Sequence, residues 1–411
     1  MKTSTSKRLR WNVAIWLAAG LFMTSTAGMA SGPILPDPKA EARHHPQIEE
    51  TANGIPLVNI TAPSSGGVSR NEYEMFNVPD KGAILNNSYT LSKTELAGYV
   101  PGNNNMAERP AKIIVNEVTG TGSTSMDGFL EVAGNRADVV IANPNGITVN
   151  GGGFINTGKA FLTTGKPVYD GEDHLQRFDI TGGDILIEGK GLGGKETESL
   201  AILSRAVKIN AGIWAEDLHI TTGANTVDAK TLEASAIEGK GGRPAFALDT
   251  AAIGGMYAGR ITLVGTEKGL GVNNSGTWSA EDNLTLDWNG DLKNSGTIYS
   301  KGNTDLRASR LENDKTIAAE RNLSAAAKEN IRNQGKLLAG ENMGIYAGKT
   351  LDNAGHAMES GNNLSIETGD AINNAAGTIK SGGSQQIKAG HTLNQYRRHT
   401  GGRWKYKHTN G

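Results

Sequence analysis

Ala137-Asp-Val-Val-Ile-Ala-Asn-Pro-Asn-Gly-Ile-Thr-Val-Asn-Gly151 is the stretch on which the reading of this chain turns. Ala137 to Ala142 is a short apolar run with β-branched residues, the pattern of a buried strand. Asn143, Pro144, Asn145 and Gly146 then suit a type I turn position by position. Asn143 can bond its own backbone, Pro144 presets φ, Asn145 tolerates the next position, and Gly146 is favoured at the fourth. Ile147-Thr-Val149 restarts a strand. The stretch predicts a rigid strand–turn–strand corner, not a catalytic loop.

The same grammar runs outward in both directions. Upstream, Ile55 to Ile60, Val68 to Val78, Ile113 to Val118 and Gly128 to Val132 are strand signals separated by turn residues. Downstream, Asp184 to Glu188, Ala201 to Leu203, Val207 to Ile209, Leu218 to Ile220 and Ile261 to Val264 continue the series with insertions between them. Glycine accounts for 55 of 411 residues and aromatics for only 5%, so leucine-rich helical faces are scarce and tight turns abundant.

From residue 272 the pattern becomes periodic. Val272, Leu292, Leu311, Ile331, Leu351, Ile372 and Leu393 begin successive units spaced 20, 19, 20, 20, 21 and 21 residues apart. An asparagine stands two residues after each of the first six starts: Asn274, Asn294, Asn313, Asn333, Asn353 and Asn374. A period near 20 with strand–turn–strand chemistry predicts a solenoid. Helical repeats need longer periods and an unbroken amphipathic stripe, which Gly and Asn interrupt here every few residues. In a parallel β-helix each unit is one coil, and a residue stacks on its counterpart about 4.8 Å away. Leu and Ile then form an interior ladder, and Asn a hydrogen-bonded one. The expected fold class is all-β, a right-handed parallel β-helix.

Composition narrows the function. The net charge is −1, which gives no electrostatic case for nucleic acid or an anionic membrane. There is no cysteine, which removes disulfides, thiolate nucleophiles and Cys-ligated zinc. Residues 1–30 carry a basic start (Lys2, Lys7, Arg8, Arg10), an apolar run from Trp11 to Met23, and small residues Gly28 and Ala30 before a cleavage point. That is the pattern of a cleaved signal peptide. A transmembrane anchor needs about 20 apolar residues, and no later segment has them. Residues 31–52 are polar, with Pro33, Pro36, Pro38 and Pro46, and read as an unstructured lead-in.

The Asn143–Ile147 sequence closely resembles the Asn-Pro-Asn-Gly-Ile signature of the secretion domain of two-partner secretion systems, the family of filamentous haemagglutinins, large adhesins and contact-dependent inhibition toxins. Asn53 to Thr164 and Gly254 to Asn394 carry the strongest likeness. A second family motif, Asn-Pro-Asn-Leu, corresponds here to Asn103, Asn104, Asn105 and Met106, which lacks the proline and replaces Leu conservatively. The resemblance implies an N-terminal two-partner secretion domain at 53–170, a β-helix continuation with loop insertions at 171–271, and haemagglutinin-type repeats at 272–411. It also implies a partner outer-membrane β-barrel transporter with periplasmic receptor domains, transit through the periplasm of a Gram-negative-type bacterium, and a secreted or cell-surface product.

Other chemistry is weakly signalled. Gly189 to Gly194 matches G-x-G-x-x-G, but Glu196 follows Lys195 where a phosphate-binding loop needs Ser or Thr, so a solenoid turn is expected. His44-His45 reads as solvated terminus, and no metal or cofactor is expected. Tyr396 to His399 and Arg403 to His408 interleave basic and aromatic residues, which reads as the outward end of a coil or a protected edge. A host-cell or glycan receptor is a possible partner; nucleic acid is not expected. The chain reads as a non-enzymatic adhesin. The alternatives are the truncated stalk of a contact-dependent inhibition toxin, and a β-helical polysaccharide-active enzyme. The partial repeat after Leu393 leads to the expectation of a truncated gene product or an unusually short adhesin.

Overall fold

A computed structural model describes residues 34–106 and 109–395. The chain winds as a parallel β-solenoid with three strand ladders per coil. One ladder is a separate twelve-stranded sheet, running from Thr124–Met126 through Ile147–Val149 to Thr392–Asn394. The other two belong to one 26-stranded sheet. They are joined where two 11-residue strands, Gly212–Thr222 and Gly255–Gly265, bend from one face to the next. The first half of Gly255–Gly265 pairs with Thr277–Ala280 and its second half with Leu284–Trp288. The bend falls at Gly259, where a Cβ would lie 2.5 Å from the Glu216 carbonyl oxygen, so only glycine fits.

In the periodic part each coil is a short strand of two to four residues, a four-residue strand and a five-residue strand, as in Leu292–Asn294, Thr297–Ser300 and Thr304–Ala308. Residue register follows the predicted unit starts: Val272 pairs with Leu292, then Leu311, Ile331, Leu351, Ile372 and Leu393 in turn. Trp278, Ile298, Ile317, Leu337, Met358 and Ile379 stack as a second interior column. These side chains are almost wholly buried, each contributing about 1.5–3 kcal/mol of apolar burial. The two buried indoles are satisfied, Trp278 donating to the Thr250 hydroxyl and Trp288 to the Leu270 carbonyl.

Inside the corner, Asn274, Asn294, Asn313, Asn333, Asn353 and Asn374 pass one amide bond from coil to coil. Each amide nitrogen donates to the next amide oxygen at 2.6–2.8 Å. Outside, the neighbouring column alternates in sign as Lys293, Glu312, Arg332 and Asp352, stacked in register. Opposite charges one coil apart attract and like charges would repel.

The described part of the lead-in departs from expectation. Residues 34–52 are ordered: Leu35–Pro36 pairs antiparallel with Val68–Met75, and Gln47–Glu50 antiparallel with Pro56–Asn59. Ile34 is buried in the solenoid core and Ile48 packs against it. The first coil has no preceding coil to satisfy its strand edges, and this segment closes them. His44 is therefore buried, with its ring nitrogen 3.1 Å from Glu72, rather than solvated; its neighbour His45 is exposed. The signal-peptide pattern and the basic-aromatic segments Tyr396–His399 and Arg403–His408 lie outside the described residues.

The insertions form a four-stranded antiparallel sheet: Lys166–Tyr169, Leu175–Ile180, Asn225–Asp228 and Ala234–Ala236. Its Phe178, Ile180 and Val227 cover the outward residues Val115, Val140, Phe161 and Leu203. Those solenoid strands are apolar on both sides, so their outer face needs a lid. An ionic cluster pins the lid and the N-terminal cap to the solenoid. Arg70 sits 2.8 Å from Glu72 and 3.2 Å from Glu117, with its guanidinium 4.5 Å over the Tyr169 ring. Burial pushes the Glu117 carboxyl up, and the Arg70 charge opposes that shift. Among the described residues, no helix is long and apolar enough to cross a membrane.

Two tests follow from this packing. Asn313→Ala removes a donor to Asn333 and leaves the Asn294 amide nitrogen short of one acceptor; the expected cost is about 1–3 kcal/mol in urea unfolding. Exposed Lys315→Ala in the same coil stays within about 0.5 kcal/mol. His219 supplies a pH test. Burial lowers its pKa from the ordinary 6.5 to about 4. Between those values the unfolded chain holds the proton and the folded chain does not, so stability falls as pH drops through this window. Wild type minus His219→Gln, followed by thermal unfolding at stepped pH, shows that loss; equal pH profiles contradict it.

Candidate functional site

The Asn143 corner joins strand Ala137–Ala142 to strand Ile147–Val149. The Gly146 N–H donates to the Asn143 carbonyl at 3.1 Å, closing a four-residue turn. Gly146 has φ +111°, a backbone region closed to most side chains, and a Cβ there would sit 3.0 Å from the Asp184 carbonyl oxygen. Asn143 is fully buried. Its amide nitrogen donates to the Gly122 carbonyl at 2.9 Å and the Thr124 hydroxyl at 3.0 Å, and its amide oxygen accepts the Asn145 N–H at 2.9 Å. Asn145 reaches back to the Gly120 carbonyl at 2.9 Å. Pro144 and the Asn145 side chain face outward, while Ile147 enters the core. The turn thus rivets its own coil to the loop of the coil before it.

Asn103 builds the same device without proline. The Met106 N–H donates to the Asn103 carbonyl at 3.1 Å. The Asn103 amide nitrogen donates to the carbonyls of Ile60 and Asn86, both at 2.9 Å, and its oxygen accepts the Asn105 N–H at 2.9 Å. Asn105 reaches back to the Ile60 carbonyl at 3.1 Å. Asn104 is exposed and Met106 is buried in the core. The closing bond, the first asparagine's amide bonds to the preceding coil and the reach of the third residue recur here, whereas the fourth position differs: Gly146 has positive φ and Met106 is itself a core residue. The first residue and the third carry the geometry in both turns. Proline at the second only stiffens it.

Several residues that hold the corners escaped the sequence reading. Asn71, Asn86, Asn87 and Asn116 are completely buried. Asn87 donates to the carbonyls of Ala111 and Asn135 and accepts the Ala111 N–H at 2.7 Å. Asn116 donates to the Val140 carbonyl and accepts the Tyr73 hydroxyl. A second asparagine ladder, Asn303, Asn322, Asn342 and Asn363, runs along another corner at 2.9–3.1 Å. Its 19- to 21-residue spacing is written in the sequence as plainly as the first ladder. Gly189 to Gly191 turns between strand Asp184–Ile187 and strand Leu192–Gly194, which takes up the rest of the glycine-rich stretch, with Gly189 and Gly191 at φ +55° and +81°. It is a solenoid turn. Among the described residues no three His, Asp or Glu side chains are grouped to hold a metal ion.

The turn comparison predicts the effect of restoring the ring. Among the described residues Asn104 has no acceptor for its backbone N–H, and it occupies the position of Pro144. Asn104→Pro therefore raises stability by about 0.4–1 kcal/mol through the unfolded chain. A lowered thermal midpoint would show that the two turns differ in backbone geometry.

Comparison with known proteins places this arrangement. The family model of the TPS secretion domain matches residues 33–299, and that of the haemagglutinin repeat matches 299–356 and 344–395. The chain is 41% identical over 298 residues to a toxin CdiA of Yersinia pestis, covering 67% of this chain and 9% of that protein. It is 38% identical over 354 residues to a 16S rRNA endonuclease CdiA of Enterobacter cloacae, covering 79% and 10% respectively. The chain thus spans about a tenth of the length of these curated relatives. A crystal structure of a filamentous haemagglutinin secretion domain superimposes with a TM-score of 0.54 at 25% identity, over 89% of this chain and 100% of that one. With the family model matched over well more than half its length, and both asparagine turns inside the match, this chain belongs to the TPS (two-partner secretion) secretion-domain family.

Proposed function

We propose that this chain is the exported partner of a two-partner secretion system, carried across the outer membrane by a β-barrel transporter and displayed or released as an adhesin-like rod. The observation that carries this reading is the pair of matching asparagine turns within the 33–299 secretion-domain match. Asn143, Pro144, Asn145, Gly146 and Ile147, with Asn103 to Met106, act in this reading as the first corners to set once the chain emerges. Periplasmic receptor domains of the transporter take up the extended segment by strand addition, which uses backbone bonds for affinity and side-chain pockets for selection. Outside the cell, each new coil folds on the one before it. The reading assigns the chain no catalytic step.

A second reading has its own support. Relatives named as toxins and nucleases match this chain over about a tenth of their length, so this rod also suits the stalk of a contact-dependent inhibition toxin that holds an effector away from the cell. A cell-surface receptor is common to both readings.

Release into the medium tests the export reading. Co-expression with the candidate transporter is expected to release the chain, and omission of the transporter to abolish release. Asn143→Ala and Asn103→Ala reduce it. Asn313→Ala, which breaks a comparable buried bond in the repeats, leaves it intact and so separates the motif from general destabilisation. Release that persists without the transporter would sink the reading.

A further inference from the structure

One outward column of the solenoid is lined by aromatic rings. In register along the face are Phe129, Gly153, Gly193, Trp214, Tyr257, Ser279 and Tyr299. Phe129, Trp214 and Tyr257 are 44%, 37% and 38% exposed, too much for core residues. Their rings lie down along the sheet, because glycines occupy the space beneath. A Cβ at Gly153 would be 2.4 Å from the Phe129 ring, one at Gly212 2.5 Å from the Trp214 ring, and one at Gly255 2.8 Å from the Tyr257 hydroxyl. The Trp214 and Tyr257 planes are 17° apart with centroids at 6.2 Å. With about 4.8 Å per coil, Phe129 stands roughly 14 Å from Trp214 along the rod axis.

Beside Tyr257 the surface dips into a cavity of about 250 Å³. Lys195, Glu216, Ser279 and Glu281 line it. Lys195 and Glu216 are exposed and opposite in sign, and Glu281 is paired with Lys301. The lining carries one ammonium and two carboxylates, and one of those carboxylates, Glu281, is paired with Lys301, so the site has no strong excess of either sign to hold a polyion. A polyol finds an ammonium donor, carboxylate acceptors and a hydroxyl. The negative face of an aromatic ring attracts polarised C–H groups. A pyranose presents one face of such C–H groups and a rim of hydroxyls.

We propose that the Phe129–Trp214–Tyr257 stripe and the cavity beside it form a binding site for an uncharged pyranose oligosaccharide laid along the rod. One sugar ring stacks on the Trp214–Tyr257 platform with its hydroxyls toward Lys195 and Glu216, and a ring further along the oligosaccharide meets Phe129. The proposal rests on the adhesin-like reading and supplies its ligand class.

The full chain, purified by refolding so that the titration does not depend on export, is titrated calorimetrically with lacto-N-neotetraose, as an animal-cell glycan, and with a hexose-only outer-core oligosaccharide free of phosphate and Kdo, as a bacterial envelope glycan. A heparin oligosaccharide and oligothymidylate serve as charged comparators. Saturable binding of either neutral probe is expected, and the tighter of the two identifies the source. Trp214→Ala and Tyr257→Ser each weaken it about tenfold or more. Glu216→Gln weakens it about threefold by replacing a charged acceptor with a neutral one. Tyr346→Ala, an exposed aromatic on another column, leaves binding unchanged. Circular dichroism checks that each variant keeps its sheet content. Binding of heparin or oligothymidylate alone, no binding of the neutral probes at millimolar concentration, or binding indifferent to both Trp214→Ala and Tyr257→Ser would overturn the proposal. Transporter-dependent release of the same variants is unaffected if the site is separate from export, so failure of the export reading and failure of the binding site register in different assays.

Discussion

Parallel stacking in register governs this molecule, because every side chain meets its counterpart one coil away. Leu on Ile and Leu on Leu satisfy that demand inside, and alternating Lys, Glu, Arg and Asp satisfy it outside. A buried polar side chain can satisfy it only by donating to and accepting from its own kind. Asparagine does so with a short amide that reaches the next amide without slack, as in the chain from Asn274 to Asn374. A buried column of carboxylates would repel itself, and one of ammonium groups would have no acceptor. The ladder also fixes register. A slip of one residue would carry the whole apolar column to the outside and leave the buried amides without partners.

The rule has no partner at the first coil, and the structure there is built differently. Antiparallel pairing replaces stacking at Leu35–Pro36 and Gln47–Glu50, and individually placed asparagines replace the ladder. Asn87, Asn103, Asn116 and Asn143 each bond to backbone carbonyls rather than to one another. They sit where coils of unequal length must be joined, with excursions such as the hairpin of Ser92–Thr94 and Gly98–Val100 between them. A repeating ladder cannot hold irregular coils. A side chain that ties one turn to the backbone of the preceding coil can, and the two asparagine turns do this at successive stages of the winding.

Sequence legibility follows the same division. The repeat starts and the first asparagine ladder could be read because coil length varies only between 19 and 21 residues, so stacking partners recur at nearly constant spacing. The Asn143 corner was legible because its turn is local, with its closing bond spanning four consecutive residues. The ordered lead-in was not. Its four prolines and polar residues describe a chain that cannot nucleate structure alone, and only the unfilled edge of the first coil gives Ile34 and Ile48 a place to pack. His44 was misread for the same reason, since its burial depends on Glu72 and Arg70 across the cap. The aromatic stripe was hidden by the insertions. Phe129 and Trp214 are 85 residues apart in the chain yet share one column, and no fixed period connects them.

Local connectivity bears directly on export. In the repeats, both the side-chain ladders and the strand pairings join each coil to the next one only, about 20 residues away. A chain emerging stepwise from a pore can therefore complete each coil before the next arrives, burying an apolar rung and closing one amide bond at each step. No bond in such a ladder waits for a distant segment. The irregular N-terminal coils lack that advantage, and their long excursions make loop closure more costly. Local turns at Asn103 and Asn143, each bonded to an earlier segment of the winding, offset part of that cost. In the proposed export reading, the asparagine turns therefore belong to the folding problem that secretion poses.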